Sequence, residues 1–239
     1  MGRNVADIND AFLKRRTMLG FDDFQNYLTG GVWTSVTAGS ATAAAGDNTG
    51  GLLTLSTIDS SDNQLVGVKH TNSNFLFAAN KPIIVEALIQ YTEAATNAAN
   101  VVFGLMSAVS STAMQNDGAG PKTSFSGAVI FKVDGGTQWK TCSSLSTTQT
   151  ISQSDTTAGG TSYQRLRVEV SPLTSTILEV TYWVDGVQLK VANSRTPIKA
   201  SVTYTGAAQM QLFAAIKSGT TTAEILLVDY MAWAQTCRL

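Results

Sequence analysis

Residues 163–188, YQRLRVEVSPLTSTILEVTYWVDGVQ, decide the fold. Leu166, Val168 and Val170 alternate with Arg165, Arg167 and Glu169, and Leu178, Val180, Tyr182 and Val184 alternate with Glu179 and Thr181. A period of two puts one set of side chains on each face of a strand, so both segments read as half-buried antiparallel strands. Asp185-Gly186 then supplies the two-residue turn of a hairpin before Val187.

The same reading extends in both directions. Strands are expected at Leu52–Leu55, around Val66 and Val68, and over Ile83–Tyr91, Val101–Ala108, Gly127–Val133, Thr137–Cys142, Met210–Lys217 and Glu224–Trp233. Asp134-Gly135-Gly136 is a second turn, placed between Val133 and Gln138. In the last strand Leu226, Val228 and Tyr230 alternate with Ile225, Leu227 and Met231, so no polar face remains and cover on both sides is expected. About a dozen short strands with polar turns give an all-β, antiparallel two-sheet sandwich of jelly-roll type.

The helical period occurs once, at the amino end. Val5, Ile8 and Phe12 fall on one face of residues 5–19, Asp7, Asp10 and Lys14 on the other, and Lys14, Arg15 and Arg16 lie where a helix dipole favours cations. This predicts a short helical arm over residues 1–20, followed by one sandwich domain over residues 21–239. So short a helix needs an apolar surface, either its own domain or a neighbouring subunit. Val5, Ile8, Phe12, Arg15 and Arg16 are the candidate partner-binding residues under the second reading.

Composition narrows the chemistry. The chain has 239 residues, of which 14% are charged, with 16 basic against 17 acidic side chains. Polyanion binding requires surplus Lys and Arg, so nucleic acid is not an expected partner. No apolar run reaches the roughly 18 to 20 residues of a membrane helix, and the amino end has no signal-like apolar core, so a membrane or secretory route is not expected. Serine and threonine number 22 and 31, a bias toward strands and small polar loops. Cys142 and Cys237 are too far apart for a metal or redox motif, and their pairing stays open.

His70 is the sole histidine, which excludes multi-histidine metal sites and favours a surface histidine over a catalytic one. None of the five glutamates, Glu86, Glu93, Glu169, Glu179 or Glu224, begins the Glu-x-Asp-x-x-Glu run of sandwich glucanases. Glu86 is unusual as a carboxylate midway along an apolar strand, though it shares a face with Gln90. Asp59 and Asp62, or Asn116 and Asp117, offer oxygen ligands without EF-hand spacing and read as turn chemistry. No catalytic set, cofactor or metal is therefore expected. Sugar binding would use an exposed aromatic: of Trp33, Trp139, Trp183 and Trp233, Trp183 lies on the polar face of its strand and is the candidate.

Phe21-Asp22-Asp23-Phe24 followed by Trp33, the segment GAGPKTSFSGAVIFKVDGGTQWK from Gly118 to Lys140, and then YQRLRVEV, TYWVDGVQL and LLVDYMAWAQ resemble a family of tailed-phage virion proteins. The likeness runs from Phe21 to Gln235. It implies a concanavalin- or laminin-G-like jelly roll, a particle component and no catalytic residues. The resulting expectation is a capsid decoration or cement protein that binds the major capsid protein lattice as a homotrimer, on the capsid exterior after assembly in the host cytoplasm. The alternative is a carbohydrate-binding, lectin-like head-fibre or receptor-binding protein.

Overall fold

The computed structural model describes residues 17–46, 50–58, 61–79, 81–203 and 208–236. In chain order the strands are β1 (Thr17–Asp22), β2 (Trp33–Thr37), β3 (Thr42–Ala45), β4 (Leu53–Ser56), β5 (Leu65–His70) and β6 (Phe75–Leu76). The long β7 (Ile83–Glu93) precedes β8 (Ala99–Met106), β9 (Gly127–Lys132), β10 (Gln138–Leu145) and β11 (Thr148–Thr157). Then come β12 (Gln164–Pro172), β13 (Ile177–Val184), β14 (Val187–Gln188), β15 (Lys199–Thr203), β16 (Gln209–Ser218) and β17 (Glu224–Thr236). They form two antiparallel sheets. One has the order β14-β13-β12-β7-β17-β4-β3, with β1 on β17 and β15 on β13. The other has the order β11-β10-β9-β8-β16-β5-β2, with β6 on β16.

The two-sheet sandwich read from the alternation is present, and the hairpin at Asp185-Gly186 is built as expected. Both turn residues have positive φ, 51° and 79°, as the primed turn that matches strand twist requires. Between the sheets, Val85, Leu166, Val168, Val180, Tyr182 and Leu226 meet Val101, Phe103, Ile130, Leu212 and Ala214 in one continuous core. Each such side chain removed from water contributes roughly 1.5 to 3 kcal/mol, enough for a chain of this length to fold without a staple.

The helical arm requires correction. Among the described residues there is no helix, and Thr17–Gly20, which the arm was expected to include, belong to β1 and pair with Thr236–Trp233 of β17. Partnering a strand edge fixes an extended backbone, which overrides a weak helical period. Val5, Ile8, Phe12, Arg15 and Arg16 lie outside the described residues. β1 also crosses the boundary placed between residues 20 and 21.

The expectation for β17 is also corrected. The register shifts between Val228 and Tyr230, so Asp229 is an extra residue opposite Leu88 and Ile89. A bulge of this type reverses facing from that point. Leu226, Val228 and Met231 face the core, whereas Leu227, Tyr230 and Ala232 face outward and are half-buried. The strands covered twice are instead β8, β9 and β16, every residue of β8 and β9 being buried. Their outer face carries Val102, Val129, Phe131, Phe213 and Ala215, and Val109, Ala113, Met114 and Phe125 from the segment between β8 and β9 pack onto it. Lys69 and Lys217 pin that segment through hydrogen bonds to the Val109 and Met114 carbonyls. The β8-containing sheet is thus covered on both faces over β8, β9 and β16, and the β7-containing sheet keeps an open outer face.

Candidate ligand face

The open face carries a straight row of residues. Register pairs Phe21 with Ala232, Ala232 with Glu86, Glu86 with Arg167, Arg167 with Trp183 and Trp183 with Gln188, across β1, β17, β7, β12, β13 and β14. At about 4.8 Å per strand, Phe21 and Trp183 stand roughly 19 Å apart. An aromatic ring therefore flanks each side of a carboxylate and a guanidinium, with an alanine leaving space between.

Contacts hold this row in place. The Tyr230 hydroxyl donates to Glu86 Oε1 at 2.7 Å, and the Tyr230 ring stacks on Phe21 with centroids 5.3 Å apart. Burial, followed by acceptance by and the charge of Glu86, pushes the Tyr230 hydroxyl up to about 12, so it remains a donor at neutral pH. Arg167 Nε lies 3.8 Å from Glu86 Oε2 and 3.0 Å from Glu169 Oε1, though neither contact is aligned as a hydrogen bond. The Trp183 indole N–H donates to Thr181 Oγ1 at 3.1 Å, which leaves the ring face as its contact surface. Between Phe21 and Arg167 lies a shallow cavity of about 220 Å³, lined by Gly20, Ile84, Glu86, Ala232 and Ala234 among others.

The other sequence candidates fall elsewhere. Trp33 and Trp139 are fully buried and donate to Asp22 and Gln164. Trp233 packs edge-on against Trp33 and His70. His70 was expected at the surface, but it is buried in this aromatic cluster, and burial lowers its basicity. Asp62 and Asn116-Asp117 come together: Asn63 donates to Asp62 and Asp117, while the Lys217 ammonium donates to Asn116 Oδ1 at 2.5 Å. A lysine thus supplies the cation for that loop pair, and among the described residues no group of three or more His, Cys, Asp or Glu could hold a metal. Asp59 lies outside the described residues. Cys142 is buried, its thiol pushed up to about 12 by burial, and Cys237 lies outside the described residues.

Trp183 is where the sequence placed it, on the polar face. Phe21, Tyr230 and Arg167 were not recognised as its companions. Arg167 was legible only as one polar residue of an alternating strand, and Tyr230 was hidden by the bulge. The pairing of β1, β17, β7 and β12 joins segments far apart in sequence, which local alternation does not encode.

No family model matches the chain, and no curated protein matches it by sequence. Solved structures do match in shape. An endo-β-1,4-glucuronan lyase from the fungus Trichoderma reesei superposes with a TM-score of 0.60 at 11% identity, covering 92% of this chain and 99% of that one. Peanut lectin gives 0.53 at 10%, covering 92% and 97%. This is a concanavalin-type sandwich. An endo-1,3-β-glucanase from Streptomyces sioyaensis gives 0.58 at 16% identity, covering 92% and 96%. The sandwich is therefore of a kind shared by lectins and polysaccharide-cleaving enzymes, and such low identities speak to fold alone.

Proposed function

We propose that this chain is a non-enzymatic structural protein of a tailed-phage virion, a decoration protein that binds the major capsid protein lattice. The observation that carries this reading is the apolar edge at β1. Leu19 and Phe21 are 61% and 65% exposed, Leu28 and Val32 in the following loop are 74% and 50% exposed, and among the described residues no strand pairs with the outer edge of β1. An unpaired strand edge with apolar side chains is a surface suited to a protein partner. The resemblance of residues 21–235 to phage virion proteins supports the same reading. A closed ring of three copies would cover such edges without open growth.

The open face supports binding over catalysis. Glycoside cleavage by two carboxylates needs room between them for the scissile bond and an attacking water. The Arg167 guanidinium fills the space between Glu86 and Glu169. A second reading, a lectin-like head-fibre or receptor-binding protein, is favoured by the aromatic row, and the polysaccharide-cleaving and lectin neighbours are consistent with it.

The experiment is co-sedimentation of the purified chain with capsids lacking it. Saturable binding that Leu19→Glu and Leu28→Glu weaken together supports the decoration reading. Capsids that leave the folded chain in the supernatant contradict it. Light scattering of the free and capsid-bound chain reads the trimer.

A further inference from the structure

We propose that the row from Phe21 to Trp183 is a binding subsite for a neutral, extended oligosaccharide lying across the strands. The inference rests on the glycan-binding reading and assigns it a place and a ligand class. Sugar rings present C–H faces that stack on aromatic rings and hydroxyls that both donate and accept. Phe21 stands exposed at one end of the row and the half-buried Trp183 ring lies at the other. Between them Glu86 offers acceptor oxygens, Arg167 offers donors and Tyr230 fixes the carboxylate. The small side chains of Ala232 and Ala234 leave a cavity of about 220 Å³ beside Glu86 and Arg167, well below the roughly 300 Å³ at which drug-sized pockets begin, so it suits one ring or ring edge of a longer chain.

Charge selects the class. Arg167 is already flanked by Glu86 and Glu169, so the one cation within the row has acidic neighbours on both sides, while Arg165, exposed two residues along β12 beside Tyr230, makes the anionic probe a necessary arm of the test. The roughly 19 Å between the flanking rings matches several linked pyranoses and exceeds one sugar. A linear chain can cross the strands along this row, because the outward residues on the same line of β17, β7 and β12 are Ala232, Glu86 and Arg167, with no aromatic obstruction.

The test is calorimetric titration of the full chain with cellohexaose, laminarihexaose and mannohexaose as neutral probes and an oligogalacturonate of similar length as the anionic probe. The expected result is binding of at least one neutral hexasaccharide, weakened about tenfold or more by Trp183→Ala and by Phe21→Ala, and unchanged by Ile151→Ala on the opposite sheet. Thermal unfolding of each variant verifies that it folds; if Phe21→Ala is unstable, Phe21→Leu keeps the apolar contact and removes the ring. Hexasaccharide binding that survives substitution at both ends overturns the subsite while the glycan-binding reading stands. Tighter binding of the oligogalacturonate overturns the ligand class. Absence of binding by all four probes overturns the subsite and the reading together.

Discussion

The Tyr230 hydroxyl and the Glu86 carboxylate, 144 residues apart, are joined by a 2.7 Å hydrogen bond on the outer face of the β7-containing sheet. Only the bulge at Asp229 makes it possible, by turning Tyr230 away from the core. The folded protein holds this hydroxyl protonated up to about 12, against 10 for a free tyrosine, and Tyr91 behaves alike for reasons of burial. A raised pKa in the fold stabilises it fully below pH 10 and withdraws that stability as pH climbs toward 12. Tyr230→Phe should therefore flatten part of the alkaline loss of stability, and the tyrosinate absorbance of the native chain should rise late. A tyrosinate titration complete near pH 10 in the folded chain would refute this.

Glu224 should give the fold a second pH dependence, in the neutral range. It is fully buried, and desolvation raises its carboxyl from 4.5 to about 7. The neutral form is favoured in the fold, so its contribution is complete below about pH 4.5 and disappears as pH rises through 7. The chain should melt a few degrees lower at pH 8 than at pH 5, and Glu224→Gln should remove most of that difference. Identical melting curves for the native chain at the two values would contradict the assignment.

Lys132 is buried among three acceptors, Glu93 Oε1 at 2.6 Å, the Ala99 carbonyl at 2.8 Å and the Asn97 carbonyl at 3.1 Å. Lys132→Met strands the Glu93 carboxylate and should cost about 3 to 5 kcal/mol. Adding Glu93→Gln should restore part of the loss, because the unpaired charge is gone. Equal melting temperatures for the single and double variants would show that the pair is not coupled.

The two faces of β17 should respond differently to charge. Val228→Asp places a carboxylate in the core and should cost several kcal/mol, whereas Leu227→Asp lies on the half-buried outer face and should cost about 1 kcal/mol or less. Denaturant unfolding of both variants checks this. Comparable losses would mean that the outer face of β17 is covered.

The strands of residues 163–188 were legible because one face of each is buried and the other wet, which writes a strict period of two into the residues. β11 escaped that reading, since only Ser154 of TQTISQSDTT is buried and no apolar set exists to alternate. β1 escaped it because Met18, Leu19 and Phe21 break the alternation, Leu19 and Phe21 both projecting to the exposed face. The ligand row has a different origin: each member is ordinary in its own strand, and the register of strands from opposite ends of the chain creates the pattern.

The proposed decoration role is tested most directly by the copy number of this chain in purified tailed-phage particles assembled in its presence, measured by quantitative mass spectrometry against the major capsid protein. A decoration role predicts a ratio near one copy per capsid subunit, or a simple fraction set by the lattice symmetry. Absence from the particle, or a handful of copies per virion, would contradict it.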